Sequence, residues 1–108
     1  MNVKSEVLEM RDDILFDIEQ MINNQLAAGY IPGTDDDFWA KDTAHVIACK
    51  YDLDKDDPLL KEVEKYVNFT FTELKNFNYY KLLKAKGPLK RSLKENAEFE
   101  ALRLHFSA

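Results

Sequence analysis

The chain has 108 residues, 45% of them hydrophobic and 32% charged, with a formal net charge of −5. That length fits one domain spanning 1–108, and that balance excludes a disordered chain. Cys49 is the only cysteine, which excludes an intrachain disulfide and points to a reducing compartment. No window approaches the roughly 18 apolar residues of a membrane span, and Met1–Glu6 carries no apolar stretch of the kind a secretion signal needs. A cytoplasmic protein with no membrane partner is expected. Charge is distributed unevenly: residues 1–57 hold 14 acidic and 5 basic side chains, a net of −9, and residues 58–108 hold 6 and 10, a net of +4.

The spacing of apolar residues predicts four helices. Val3, Val7, Met10, Ile14, Ile18 and Met21 recur at intervals of three and four, with Leu8, Leu15, Ile22 and Leu26 widening the stripe, so the first helix covers about 3–28. Gly29 suits the left-handed residue that ends it, and Tyr30-Ile31-Pro32-Gly33 reads as a tight turn. Thr34 and Asp37 have the spacing of a capping box for a second helix over about 35–51. That helix is expected to bury some of Phe38, Trp39, Ala44, Ile47, Ala48 and Tyr51. Pro58 follows the acidic connector 52–57 and suits the first position of a third helix, over about 58–86, which Gly87-Pro88 breaks. A fourth helix is expected over about 88–106. The stretch Val67-Asn68-Phe69-Thr70-Phe71-Thr72 alternates as a strand would. A lone strand leaves its backbone unpaired, however, so helix is the expected state. Short connections favour antiparallel neighbours, and an all-α, four-helix bundle-like packing is the expected architecture.

Several groups of residues invite a chemical reading. Asp52, Asp54 and Asp56 match the first three ligand positions of a calcium loop. The position needing Gly holds Asp57, and the position needing a bidentate Glu holds Val63. Capping of the third helix by Asp56 or Asp57 explains the cluster better. His45 and Cys49 lie one turn apart, as zinc ligands or a base and nucleophile would. No second Cys or nearby His completes a site, so a buried Cys49 and a His45 paired with Asp42 are expected. Glu9, Asp13 and Asp17 share a face of the first helix, and oxygen ligands from two helices suit a magnesium-dependent phosphate enzyme. In this general construction the chain resembles the all-α nucleotide pyrophosphohydrolases. It departs from them in that Glu6-x-x-Glu9 stands alone and the second helix holds no Glu.

Lys81, Lys84, Lys86, Lys90, Arg91 and Lys94 form the basic concentration of the chain, preceded by Phe77, Tyr79 and Tyr80. Cations beside aromatic rings are the elements of single-strand nucleic-acid binding, which the overall charge of −5 disfavours. In the fourth helix Leu89, Leu93, Ala97, Ala101 and Leu104 form one stripe, and Phe99, Leu102 and Phe106 another roughly opposite. A helix apolar on both sides offers one of them as a contact, and Phe99, Leu102 and Phe106 are the expected homodimer contact. In Asp35-Asp36-Asp37-Phe38-Trp39, acidic charge adjoins two large rings, the composition of a binding hot spot.

The leading expectation is a small acidic, non-enzymatic interaction domain of inhibitor, immunity-type or regulatory character, without a cofactor. It binds a basic partner protein through Asp35, Asp36, Asp37 and Trp39. The alternatives are a hydrolase of nucleotide phosphates holding Mg through Glu9, Asp13 and Asp17, and a single-stranded nucleic-acid accessory protein.

Overall fold

A computed structural model of the chain describes residues 12–107. Four helices account for most of them: α1 (Asp12–Ala27), α2 (Asp36–Lys50), α3 (Pro58–Lys86) and α4 (Leu93–Ser107). Among the described residues there is no strand, and the fold is all-α. The part of the first helix expected over 3–11 lies outside the described residues. The chain divides into two compact units, with the boundary inside α3, between Thr72 and Glu73.

In the first unit the helices run up, down and up. Asp17 of α1 meets Lys50 and Tyr51 at the end of α2, and Tyr66 of α3 donates to Glu19 of α1. The core is built from residues four or three apart on each helix. α1 contributes Ile14, Ile18 and Ile22, α2 contributes Ala40, Thr43, Ala44 and Ile47, and α3 contributes Leu60, Val63, Val67 and Phe71. Full burial of a Val, Ile or Phe side chain contributes about 1.5–3 kcal/mol, so these three ladders dominate the unit. Small residues on α2 let that helix approach closely, and Thr43 satisfies its hydroxyl on Trp39 O at 2.7 Å.

The stretch 66–72 is helical throughout. Its alternation resolves into a helical face, because Val67 and Phe71 are buried one turn apart while Phe69 is 39% exposed. The Thr70 hydroxyl bonds back to Tyr66 O at 2.8 Å, as a threonine in mid-helix commonly does.

Helix ends follow the chemistry of their caps. Gly29 ends α1 at φ +101, and the bonds Tyr30 N–H to Gln25 O (3.0 Å) and Gly29 N–H to Leu26 O (3.1 Å) form a Schellman motif. Asp52 does the same for α2 at φ 54, with Leu53 N–H on Ala48 O at 2.9 Å. Asp57 caps α3 by accepting Leu59 N–H at 2.9 Å. The capping box expected at Thr34 and Asp37 is not formed. The Thr34 hydroxyl turns back to Ile31 O at 2.7 Å, and Asp37 pairs with Lys41 at 2.9 Å.

The second unit is a helical hairpin made from the last turns of α3 and all of α4. Lys86 pairs with Glu95 at 2.9 Å, Tyr79 donates to Glu98 at 2.6 Å, and His105 meets Glu73 at 2.9 Å. α4 starts at Leu93, later than the expected 88. The physical reason is a reciprocal capping box: Ser92 Oγ accepts Glu95 N–H at 3.1 Å, and Glu95 returns to Ser92 N–H at 2.9 Å. The preceding residues form a turn closed by Lys90 N–H on Gly87 O at 3.2 Å. No residue of α4 is fully buried. Its hold on α3 comes from rings: Tyr80 stacks on Phe99 at 5.4 Å, and Phe106 sits edge-on to Phe77 at 5.2 Å.

Phe71, 1% exposed, is the largest side chain of the first core. Phe71→Ala is expected to cost about 3–5 kcal/mol, read as a lowered urea midpoint. Ser92→Ala is expected to cost about 1 kcal/mol, and amide exchange should place that loss in the first turn of α4.

Candidate functional site

The turn joining α1 to α2 brings together the acidic and aromatic residues singled out in the sequence. Thr34 N–H bonds Ile31 O at 3.3 Å. Pro32 and Gly33, the latter at φ +95, occupy the centre of this turn, the Pro-Gly order a type II turn requires. Tyr30 anchors it from below. Its hydroxyl donates to Asp36 Oδ1 and accepts Asp35 N–H at 2.9 Å, and Asp36 Oδ1 also accepts Gly33 N–H at 2.7 Å. The Tyr30 ring stands edge-on to Phe71 at 4.9 Å and to Trp39 at 5.9 Å. Burial, and then the Asp36 carboxylate, push the Tyr30 phenol above its ordinary range, so it remains a donor.

This geometry separates the four expected contact residues. Asp35 and Asp37 are exposed. Asp36 is half-buried and occupied with the turn. Trp39 is also half-buried, and it supports Phe38, whose ring meets it edge-on at 5.0 Å. Phe38, expected among the core residues, is 54% exposed, and Ile31 in the preceding turn is 67% exposed. The ring that faces outward is therefore Phe38, while Trp39 packs edge-on against Tyr30. Lys41, by hydrogen bond and charge, holds the Asp37 carboxyl below its usual value.

The carboxylates of α1 do not converge. Glu9 lies outside the described residues. Asp13 accepts its neighbour's N–H, from Ile14, at 2.9 Å. Asp17 faces the end of α2, paired with Lys50 at 2.7 Å and accepting the Tyr51 hydroxyl. Among the described residues no group of three or more His, Cys, Asp or Glu is placed to hold a metal ion. In the acidic connector, Asp52 closes α2 by its backbone conformation, while the side chains of Asp54 and Asp57 serve the backbone, Asp54 accepting Asp56 N–H at 3.2 Å and Asp57 capping α3.

His45 and Cys49 line a shallow cleft of about 300 Å³ with Asp52, Leu53 and Lys55. Cys49, expected to be buried, is exposed, because the inward positions of α2 fall at Ala44 and Ile47. His45 Nε2 lies 3.8 Å from Cys49 Sγ in place of the expected pairing with Asp42. A second cleft of about 370 Å³ adjoins it between α2 and the start of α3, lined by Lys41, Lys61, Glu64 and Asp57 among others.

Of the two stripes of α4, the aromatic one is turned toward α3. Phe99, Leu102 and Phe106, the expected dimer contact, are half-buried. Phe99 and Phe106 pack on Tyr80 and Phe77 of their own chain. Leu93 and Leu104 on the other stripe are 91% and 62% exposed. The aromatic residues preceding the basic run are similarly engaged: Tyr80 is stacked, and Tyr79 is bonded to Glu98.

Compared with protein-family models, curated protein sequences and solved structures, the chain matches none.

Lys50, and after it Tyr51, hold the Asp17 carboxyl below its ordinary value of 3.8. A carboxyl depressed on folding stabilises the fold above its unfolded value, and the contribution is lost as pH falls through the lower folded value. Asp17→Asn is therefore expected to flatten the acid limb of stability, measured as the urea midpoint from about pH 6 to about pH 2. An identical pH slope in variant and parent would refute this role.

Proposed function

We propose that the protein is a non-enzymatic interaction domain whose acidic first unit binds a basic partner protein, in the manner of an inhibitor, immunity-type or regulatory protein. The observation that carries the reading is the segment from the α1–α2 turn into the first turn of α2, where Ile31 and Phe38 are 67% and 54% exposed and Asp35 and Asp37 are exposed with them. An aromatic anchor beside charge is the arrangement of an interface hot spot. Opposite charge on the partner speeds encounter and fixes register. Residues 1–72 carry 16 acidic and 7 basic side chains, a net of −9, which supplies the long-range attraction.

The contact set is accordingly Ile31, Asp35, Asp37 and Phe38. Asp36 and Trp39 act as supports that hold the turn and the ring in place. Preorganisation of this kind lowers the ordering cost of binding. A single cysteine, exposed and unpaired with another, suits a reducing, cytoplasmic setting.

Tagged protein incubated with lysate of its source organism is expected to retain a basic protein, released as salt is raised. Phe38→Ala is expected to reduce that retention by about tenfold or more, and Asp35→Asn with Asp37→Asn should weaken it and flatten its salt dependence. A captured set unchanged by all three substitutions would overturn the reading.

A further inference from the structure

Residues 81–94, Lys-Leu-Leu-Lys-Ala-Lys-Gly-Pro-Leu-Lys-Arg-Ser-Leu-Lys, contain six cations and no acidic residue. Two of the cations are held by ion pairing or hydrogen bonds within the hairpin. Lys86 pairs with Glu95 at 2.9 Å. Arg91 lies over the Phe99 ring at 3.9 Å and donates to Leu83 O and Asn96. Lys81, which lies over Phe77, is exposed, as are Lys84, Lys90 and Lys94. Among them stand three leucines that the fold leaves in water: Leu82 at 65%, Leu89 at 99% and Leu93 at 91% exposure. Leu83, adjacent to Leu82, is 1% exposed and already fills the inner face of α3 here.

We propose that this end of the α3–α4 hairpin docks on the surface of an anionic lipid bilayer. Leu89 and Leu93 enter the boundary between headgroups and acyl chains, and Lys84, Lys90 and Lys94 lie among the lipid phosphates. Three observations select this occupant. The first is charge complementarity: four exposed lysines within fourteen residues, without an acid among them, is the composition that anionic headgroups attract. The second is shape. Leu89 stands on the turn closed by Lys90 N–H on Gly87 O, and at 99% exposure it protrudes. A lipid interface closes around a protruding aliphatic group, as it does around the apolar side of an interfacial helix. The third is the kind of apolar group exposed. A nucleic-acid strand would take the same lysines but requires ring faces for stacking. Here Tyr80 is stacked on Phe99, and Phe77 packs against Tyr80 and Phe106 with Lys81 over its ring. Phe77 and Tyr79 are 40% and 36% exposed, whereas the groups that protrude fully are leucines.

The contact is a surface contact, since among the described residues no helix is long and apolar enough to cross a membrane. The expectation of no membrane partner followed from span length, which a peripheral contact does not need. Residues 73–108 carry a net of +4 against −9 for residues 1–72. An anionic surface attracts the former and repels the latter, so the protein lands by its hairpin.

The test is cosedimentation of the full chain with vesicles of phosphatidylcholine and phosphatidylserine in equal parts, beside vesicles of phosphatidylcholine alone. Binding to the mixed vesicles is expected, about tenfold or more weaker on the neutral ones and at high salt. Leu89→Ser with Leu93→Ser changes two side chains in water, so helicity should be unchanged while vesicle binding falls by about tenfold or more. Absence of binding to the mixed vesicles overturns the proposal. So does equal binding by parent and leucine variant, which would leave a charge-only polyanion surface, with single-stranded DNA then retained equally well. A fall in solution mass in the leucine variant, without vesicle binding by the parent, would assign the face to a second copy of the chain and overturn it likewise.

Discussion

The apolar ladder of α3 is the constraint on which the first unit depends. Leu60, Val63, Val67 and Phe71 are all buried and spaced by three and four, so one side of the helix faces the core over three turns. Ile14, Ile18 and Ile22 pack with the alanine-rich side of α2 to complete it. Phe71, at the end of this ladder, meets Tyr30 at 4.9 Å. Tyr30 in turn holds the turn at Asp35 and Asp36 through its hydroxyl. The exposed Phe38 is thus set in place by apolar burial two contacts away. Without the ladder the acidic residues would be a solvated loop with no fixed ring beside them.

The division of charge coincides with the division of structure. The sums of −9 and +4 obtained on either side of residue 57 recur on either side of the unit boundary at Thr72, because residues 58–72 carry two lysines and two glutamates. Each unit therefore carries a net charge of one sign, and among its exposed apolar groups Ile31 and Phe38 stand near acids in sequence and Leu89 and Leu93 near bases. Apolar groups in fields of opposite sign suit different partners. The second unit is held by rings and surface ion pairs, with Leu83 as its one fully buried large side chain among the described residues. Exposed ion pairs contribute only about 0–1 kcal/mol each, which places this hairpin at the less stable end of the molecule.

Much of this was legible in the pattern of residues. Ile14, Ile18 and Ile22 announce α1, Gly29 its end, and Pro58 the start of α3 within a residue. The delayed start of α4 was also written in the chain, as Ser92-Leu93-Lys94-Glu95, a Ser-x-x-Glu capping box. Gly87-Pro88 marks the break after α3, while the restart is set by this box five residues further on. The assignment of faces was not legible. Phe38 and Trp39 are adjacent and chemically alike, and only the position of Tyr30 decides which turns inward. Cys49 reads as a small buried residue until the neighbouring Ala44 and Ile47 are seen to occupy the inner positions of α2.

Taken alone, the order of residues determined the helical state of the chain, the approximate helix limits and the separation of its charge, because these depend on local spacing, capping and composition. For 66–72 it favoured helix over strand, since an unpartnered strand leaves its backbone groups unsatisfied, and the structure decided the matter by burying Val67 and Phe71 on one helical face. Which of two equally apolar stripes of α4 turns inward was decided only in three dimensions. Tyr80 and Phe77 of α3 offer flat ring surfaces that Phe99 and Phe106 match better than Leu93 and Ala97 do. Burial is a property of pairs of surfaces, and no single helix carries that information.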